Sequence, residues 1–322
     1  MIQRILASLA LAAVITAAAA QQYPARPIRF IVPYPPGGGT DTVARLLNPG
    51  LIEQLGEQVV IDNRGGANAI IGTDLAAKAA ADGYTMLFCL QASMAVNPTL
   101  YQNLPYEPQR DFDPVIHLDT LAMMLAVNPS LPVKTIDDLI KLAKTSPGRL
   151  NYSSSGHGSA AHLATLLLMN MTGTKMVHVP FKGGGPALAA VVGGEVQFSI
   201  GTLVSEAPHV RAGRLRAVAL ATARRVPSIP DVPSIAETLP GFDASVWHGV
   251  VVPKGTPAAA VKRLNAAFNA VLKRPQVRGA MEKSGVQPVG GTPEEFAVLI
   301  KSETAKYEKL LKEMGMAGSS KL

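Results

Sequence analysis

The chain is poor in the residues that build covalent, metal and nucleic-acid chemistry. Cys89 is the only cysteine in 322 residues, which excludes an internal disulfide. It sits in an apolar run, 84–90, and reads as a buried packing residue rather than a nucleophile. The six histidines form no HExxH pattern and have no cysteine partners, so metal coordination has no framework. Aromatic residues make up only 5% of the chain. The basic residues are scattered, with adjacent pairs such as Arg224-Arg225 and Lys273-Arg274 but no interleaved aromatics, which argues against a nucleic-acid surface. The formal charge of +7, or 7 − 1 = +6 without Arg4, is a mild positive field that favours small anions.

No apolar stretch of membrane length follows the N-terminus. At the N-terminus itself, Arg4, the apolar run 5–15 and an A-x-A signal at Ala18–Ala20 predict a cleavable signal peptide over 1–20. The apolar run is shorter than the roughly 20 residues a membrane span requires. No cysteine lies at the cleavage point to carry a lipid. The expected destination is the periplasm, and the remaining residues suffice for two domains.

What is present begins with IRFIVPYPPGGGTDTVARLL at 28–47. A β-branched apolar run passes through a Pro/Gly turn into residues with helical spacing, Val43, Ala44, Leu46 and Leu47. Strand, glycine turn and helix start together present unpaired N–H groups and the positive end of a helix dipole to an anion. Thr40 reads as the helix N-cap, and Asp41 in the first turn favours the dipole.

Apolar runs continue to alternate with helical patterns, which predicts α/β architecture with largely parallel sheets. Strands are expected at 28–32, 58–62, 84–90, 123–127, 150–153, 175–181, 196–200, 217–221 and 247–252. Helices are expected at 71–81, at 135–143 capped by Thr135, from Thr256 and Pro257 to Lys273, and from the Thr292, Pro293, Glu295 capping box to about Met314. Asn97-Pro98 reads as a turn, 226–234 as a Pro-rich surface loop, and the tail AGSSKL as disordered. The unit at 150–168 repeats the opening pattern of strand, small-residue turn and helix, so two lobes would each offer a helix N-terminus to one cleft.

Enzymatic readings of these turns fare poorly. Gly156, Gly158 and Ala161 fit G-x-G-x-x-A, but no acid follows about 20 residues on, and no Gly-Lys pair forms a P-loop. None of Ser153, Ser154, Ser155 or Ser159 sits in a G-x-S-x-G elbow. Their hydroxyls, beside backbone donors, suit a carboxylate. Lys182 is either a charge at the cleft or a solvated loop residue, and Trp247 either core or cleft wall.

IVPYPPGGGTDTVAR, NRGGANAIIGTDLAAKAAADGYTML, YEPQRDFDPV, LNYSSSGHGSAAHL, VPFKGGGPALAAVVGGEV, PDVPSIAE and WHGVVVPKGTP occur in the order found in one family. In these motifs the chain resembles the Bug-type receptors, the extracytoplasmic solute-binding proteins of tripartite tricarboxylate transporters. The resemblance implies an α/β, class II-like periplasmic-binding-protein fold of two lobes, each a mostly parallel sheet flanked by helices, with a cleft between them. Lobe 1 would be 23–122 plus 246–322, and lobe 2 123–245. It implies a carboxylate ligand (a di- or tricarboxylate, an acidic amino acid or an aromatic acid) held without cofactor, metal or chemistry. Carried over by motif, the binding positions are Tyr34, Gly38, Gly39, Thr40 and Asp41 in lobe 1. In lobe 2 they are Ser154, Ser155, Gly156, Ser159, Lys182, Gly183 and Gly184. The family's more variable contacts add Ser93, Asn97, His162 and Thr202. The expected partners are transporter membrane subunits or, as an alternative, a sensor kinase, with the receptor itself a monomer. A secreted hydrolase using Ser155 or Ser159 with His157 is the remaining rival.

Overall fold

The computed structural model describes residues 23–313 and 315–320. The signal segment expected over 1–20 lies outside them. Eleven strands are described: β1 Ile28–Val32, β2 Val59–Asn63, β3 Thr85–Leu90, β4 Phe112–Leu121, β5 Met123–Val127, β6 Asn151–Ser154, β7 Val177–Pro180, β8 Phe198–Thr202, β9 Arg216–Leu220, β10 Val246–Pro253 and β11 Val286–Pro288. The α-helices are α1 Gly39–Leu55, α2 Ile70–Ala77, α3 Asn97–Leu100, α4 Pro108–Asp111, α5 Ile136–Thr145, α6 Ala160–Thr172, α7 Gly184–Val192, α8 Leu203–Arg211, α9 Ala258–Leu272, α10 Pro275–Lys283 and α11 Pro293–Glu313.

They form two α/β bodies. One sheet has the order β11-β4-β10-β3-β1-β2 and the other β7-β6-β8-β5-β9. The chain passes from the first sheet to the second at Ala122, between β4 and β5, and returns between β9 and β10. Both faces of the first sheet are covered, which explains its unbroken apolar strands. Phe30, Met86 and Phe88 pack on one side with α1 and α9, where Phe268 meets Phe30 edge to face. Ile31, Leu87 and Cys89, the alternate residues, pack on the other side with Trp247 and Phe296 of α11. The second sheet divides in the same way, Met123, Leu125 and Val127 on one face and Met124 and Ala126 on the other.

The architecture is as expected, but the sheets are mixed rather than mostly parallel. β1 pairs in parallel with β2 and β3, and β6 with β7 and β8. β10 runs antiparallel to β3 and β4, β11 to β4, and β5 to β8 and β9. β4 is a strand the sequence analysis did not place. Pro114, Asp113 and Asp119 interrupt its apolar pattern, and pairing with the fully buried β10 supplies what the pattern lacks.

Four local expectations are corrected. The N-cap of α1 is Gly38, not Thr40, because the turn enters the helix two residues before the hydroxyl. The N-cap of α9 is Pro257, and the Thr256 hydroxyl donates to the Pro253 carbonyl instead. Asn97-Pro98 opens α3, directly after a π-helical turn at Ala92–Val96. The described part of the tail, through Ser320, is tied down, since the Gly318 and Ser320 N–H groups donate to the Thr99 and Leu100 carbonyls. The capping boxes at Thr135 and Thr292 form as expected.

Candidate functional site

β1 ends at Val32, and the turn from Pro33 through Gly37, at φ +87°, delivers Gly38 to the start of α1. Gly38 makes no side-chain cap, so the first-turn N–H groups of α1 keep no side-chain acceptor. α7 begins the same way, with Gly183 at its N-cap and no capping side chain. A Cβ on Gly38 would lie 3.7 Å from the Gly185 nitrogen, so the two uncapped N-termini meet across the gap between the bodies. α6 differs, because Ser159 caps it by accepting from the His162 N–H.

Asp41 lies in the first turn of α1, where a free carboxylate would repel an anion. It is not free. Its side chain accepts from the Gly37 N–H at 3.0 Å, the Asn63 amide at 3.0 Å and Arg45 Nε at 2.9 Å. Burial pushes the carboxyl up, but Arg45, Gly37 and Asn63 together outweigh it and hold it below its ordinary value. Asp41 therefore staples the glycine turn. Asp41→Ala takes the acceptor from the Gly37 N–H and one acceptor each from Asn63 and Arg45, and is expected to cost about 2–3 kcal/mol in urea unfolding. A cost within experimental error would contradict that role.

Between the bodies lies a cavity of about 100 Å³. By the same measure one water needs about 10–15 Å³, so the space suits a few waters or a small organic acid. Tyr34, Gly38, Gly39 and Thr40 line it from one body. Ser154, Ser155, Gly184 and Thr202 line it from the other. Burial pushes the Tyr34 phenol up to about 12, with Ser155 from the opposite body working against it. Tyr34 donates to the Asn68 side chain at 3.1 Å, and Asn68 in turn donates to Asn97 at 2.9 Å.

The other sequence candidates stand behind or beside this wall. Asn97 is fully buried and braces Asn68. Ser93 exchanges hydrogen bonds with the Leu90 backbone. Gly156 adopts φ +132° in the serine turn, and Gly183 adopts φ +143°. Lys182 is exposed and does not line the cavity. His162 is buried and accepts from the Gly158 N–H at 3.0 Å. Among the described residues, neither Ser155 nor Ser159 hydrogen-bonds to His157. His157 Nδ1 lies 2.8 Å from Ser320 Oγ, and within the serine turn it is Ser154 that meets a histidine, 2.6 Å from His178 Nε2.

Sequence reasoning missed Gln91, Glu206 and His248, which also line the cavity, and left Trp247 undecided between core and wall. Gln91 and Trp247 both donate to Glu303 of α11, at 2.8 and 3.2 Å, so the C-terminal helix fixes that side. His248 Nδ1 is 3.1 Å from Asp119 Oδ1, both fully enclosed, without hydrogen-bond alignment. The one sequence signal for Glu206 is that it is the lone acid of the segment 198–211, which does not tell a wall residue from a core one. Among the described residues no helix is long and apolar enough to cross a membrane, and no cluster of three or more His, Cys, Asp or Glu residues has the arrangement of a metal site.

Residues 43–316 match the family model described as tripartite tricarboxylate transporter family receptor. The chain is 38% identical to protein BugT of Bordetella pertussis over 309 residues, 95% of each chain. Its structure is similar to that of Rhodopseudomonas palustris Rpa4515 with adipate, at TM-score 0.89 and 36% identity, covering 93% of this chain and all of the other. It is also similar to MatC from Rhodopseudomonas palustris with bound malate, at TM-score 0.85 and 32% identity, covering 90% of this chain and all of the other.

Proposed function

Because this chain belongs to the tripartite tricarboxylate transporter receptor family, we propose that it captures a small carboxylate in the periplasm and presents it to the membrane subunits of such a transporter. The observation that carries this reading is the meeting of two uncapped helix N-termini, α1 and α7, at one small cavity walled by hydroxyls. Backbone donors and dipole ends of that kind hold an anion without a basic side chain. The adipate and malate bound by two similar proteins belong to the ligand class such a pocket suits.

The mechanism is closure of two lobes, 23–122 with 246–322 against 123–245, over the ligand. Affinity then follows the population of the closed state. The proposed contacts are the cavity-lining candidates, Tyr34, Gly38 to Thr40, Ser154, Ser155, Gly184 and Thr202. No covalent step is proposed, and the receptor acts as a monomer.

Titration calorimetry at pH 7 with adipate, malate, aspartate, nicotinate, glucose and putrescine tests the reading. Saturable binding of at least one carboxylate is the expected result. Binding of only the sugar or the diamine would sink it.

A further inference from the structure

Glu206 stands in the wall of the cavity and is only 1% exposed. It extends from α8 back towards β8, where its Oε1 accepts from the Ser199 hydroxyl. Its second oxygen, Oε2, has no partner at all. The space for this carboxyl is made by Gly201, since a Cβ there would overlap it. Ala187, Leu188 and Met123 are apolar residues of the same wall.

An ionised carboxylate with one oxygen unpartnered in such surroundings is costly, and the group takes up a proton instead. Burial pushes Glu206 up to about 8, and the Ser199 hydroxyl and Gly201 N–H offset this only in part. No counter-charge is at hand. β5, α7 and β8, which pack against α8, carry no titratable side chain. α1 also packs there, but its Asp41 and Arg45 are paired with each other. Tyr34 and His248, the latter backed by Asp119, are the other titratable residues in the wall.

A neutral carboxyl whose Oε1 already accepts from Ser199 keeps its proton on Oε2, the unpartnered atom. A carboxylic acid kept neutral by an apolar site donates a strong hydrogen bond to an anionic oxygen. We propose that Glu206 is a specificity-determining residue of the cleft. It donates its proton to a second acceptor oxygen on the bound solute, so that dicarboxylates are preferred over monocarboxylates of the same length. This rests on the carboxylate-receptor reading and names its ligand class more narrowly.

The test is calorimetry with adipate and hexanoate from pH 6.5 to 9.5 on the wild type, Glu206→Gln and Glu206→Leu, with thermal melts to confirm folding. Wild type should bind adipate at least about tenfold tighter than hexanoate at pH 7, and lose about tenfold per pH unit once Glu206 ionises. Glu206→Gln, which still donates, should keep the preference and lose the pH dependence. Glu206→Leu should bind the two acids alike. Should Glu206→Leu fail to fold, the loss of pH dependence in Glu206→Gln decides the matter. Adipate binding that tightens above pH 8, or a folded Glu206→Leu that keeps the dicarboxylate preference, would overturn this assignment alone. If wild type binds neither these acids nor any other carboxylate, the receptor reading falls and this assignment with it.

Discussion

Gly39→Val is expected to weaken carboxylate binding about a hundredfold while leaving the melting temperature nearly unchanged. Gly39 is the first helical residue of α1, and its backbone accepts any side chain. What excludes a side chain is the other body. A Cβ there would lie 2.5 Å from Thr202 Oγ1, 3.0 Å from Val204 Cγ1 and 3.2 Å from Thr202 Cβ. Every one of those atoms belongs to the β8–α8 segment, which reaches α1 only across the cleft. The overlap is therefore relieved by separating the bodies, not by unfolding either one. An overpacking penalty of about 3 kcal/mol placed wholly on the closed state lowers its population, and apparent affinity falls by the same factor. Calorimetry measures the affinity, and small-angle scattering with ligand should show a more open particle for the variant. Wild-type affinity in Gly39→Val would show that closure does not bring these elements together.

Thr202→Ala in the same background offers a second reading of that contact. Removing Oγ1 takes away the nearest obstacle, so Gly39→Ala alone should bind worse than Gly39→Ala with Thr202→Ala. A double-mutant cycle isolates that coupling because the two residues meet nowhere else.

The first jaw was legible in sequence because its chemistry is local. Strand, glycine turn and helix start are contiguous in 28–47, and backbone donors need no distant partner. Gly184, Ser154 and Ser155 were legible for the same reason. The role of Asp41 was not, since it depends on Asn63, 22 residues away, whose amide completes the staple. β4 was hidden because its strand character comes from β10, more than 120 residues later in the chain. Glu206 and His248 were hidden for a related reason. Each is a polar residue inside an apolar segment, and only the closing of two bodies around a cavity separates a wall residue from a misplaced one. Ser93, Asn97 and His162 show the converse, buried polar residues whose hydrogen bonds in the fold go to backbone and neighbouring side chains.

The second large effect is expected in acid. Three imidazoles cluster behind the serine turn, with His162 and His178 stacked at 4.0 Å between ring centres and His157 tilted 4.6 Å from His162, and Tyr152 packs on His178 at 5.1 Å. His162 Nδ1 accepts from the Gly158 N–H, which requires that nitrogen to be unprotonated. Burial, reinforced by the charges of His178 and His157, pulls His162 down to about 3, and burial with His157 pulls His178 down to about 4. Unfolded, both would titrate near about 6.5. From there down to the folded values these two sites bind more protons in the unfolded chain, so their contribution to stability is full above about pH 6.5 and is lost as the pH falls. Two extra protons over that window would give a larger figure, but His178 is partly open to solvent, so the expected loss between pH 7 and 4 is on the order of 3 kcal/mol. Urea unfolding at pH 7, 5.5 and 4 measures it. Glu206, held up at about 8, gains stability as the pH falls over the same window. The imidazole loss is therefore read as the difference in slope between wild type and His162→Gln with His178→Gln, which should keep more stability at pH 4. Carboxylates held low, Asp41 among them, act mainly below that. Equal slopes in wild type and the double variant would show that the stacked imidazoles are not the acid-labile element. Because the same turn carries Ser154 and Ser155, ligand affinity should fall in the same pH window and recover on neutralisation.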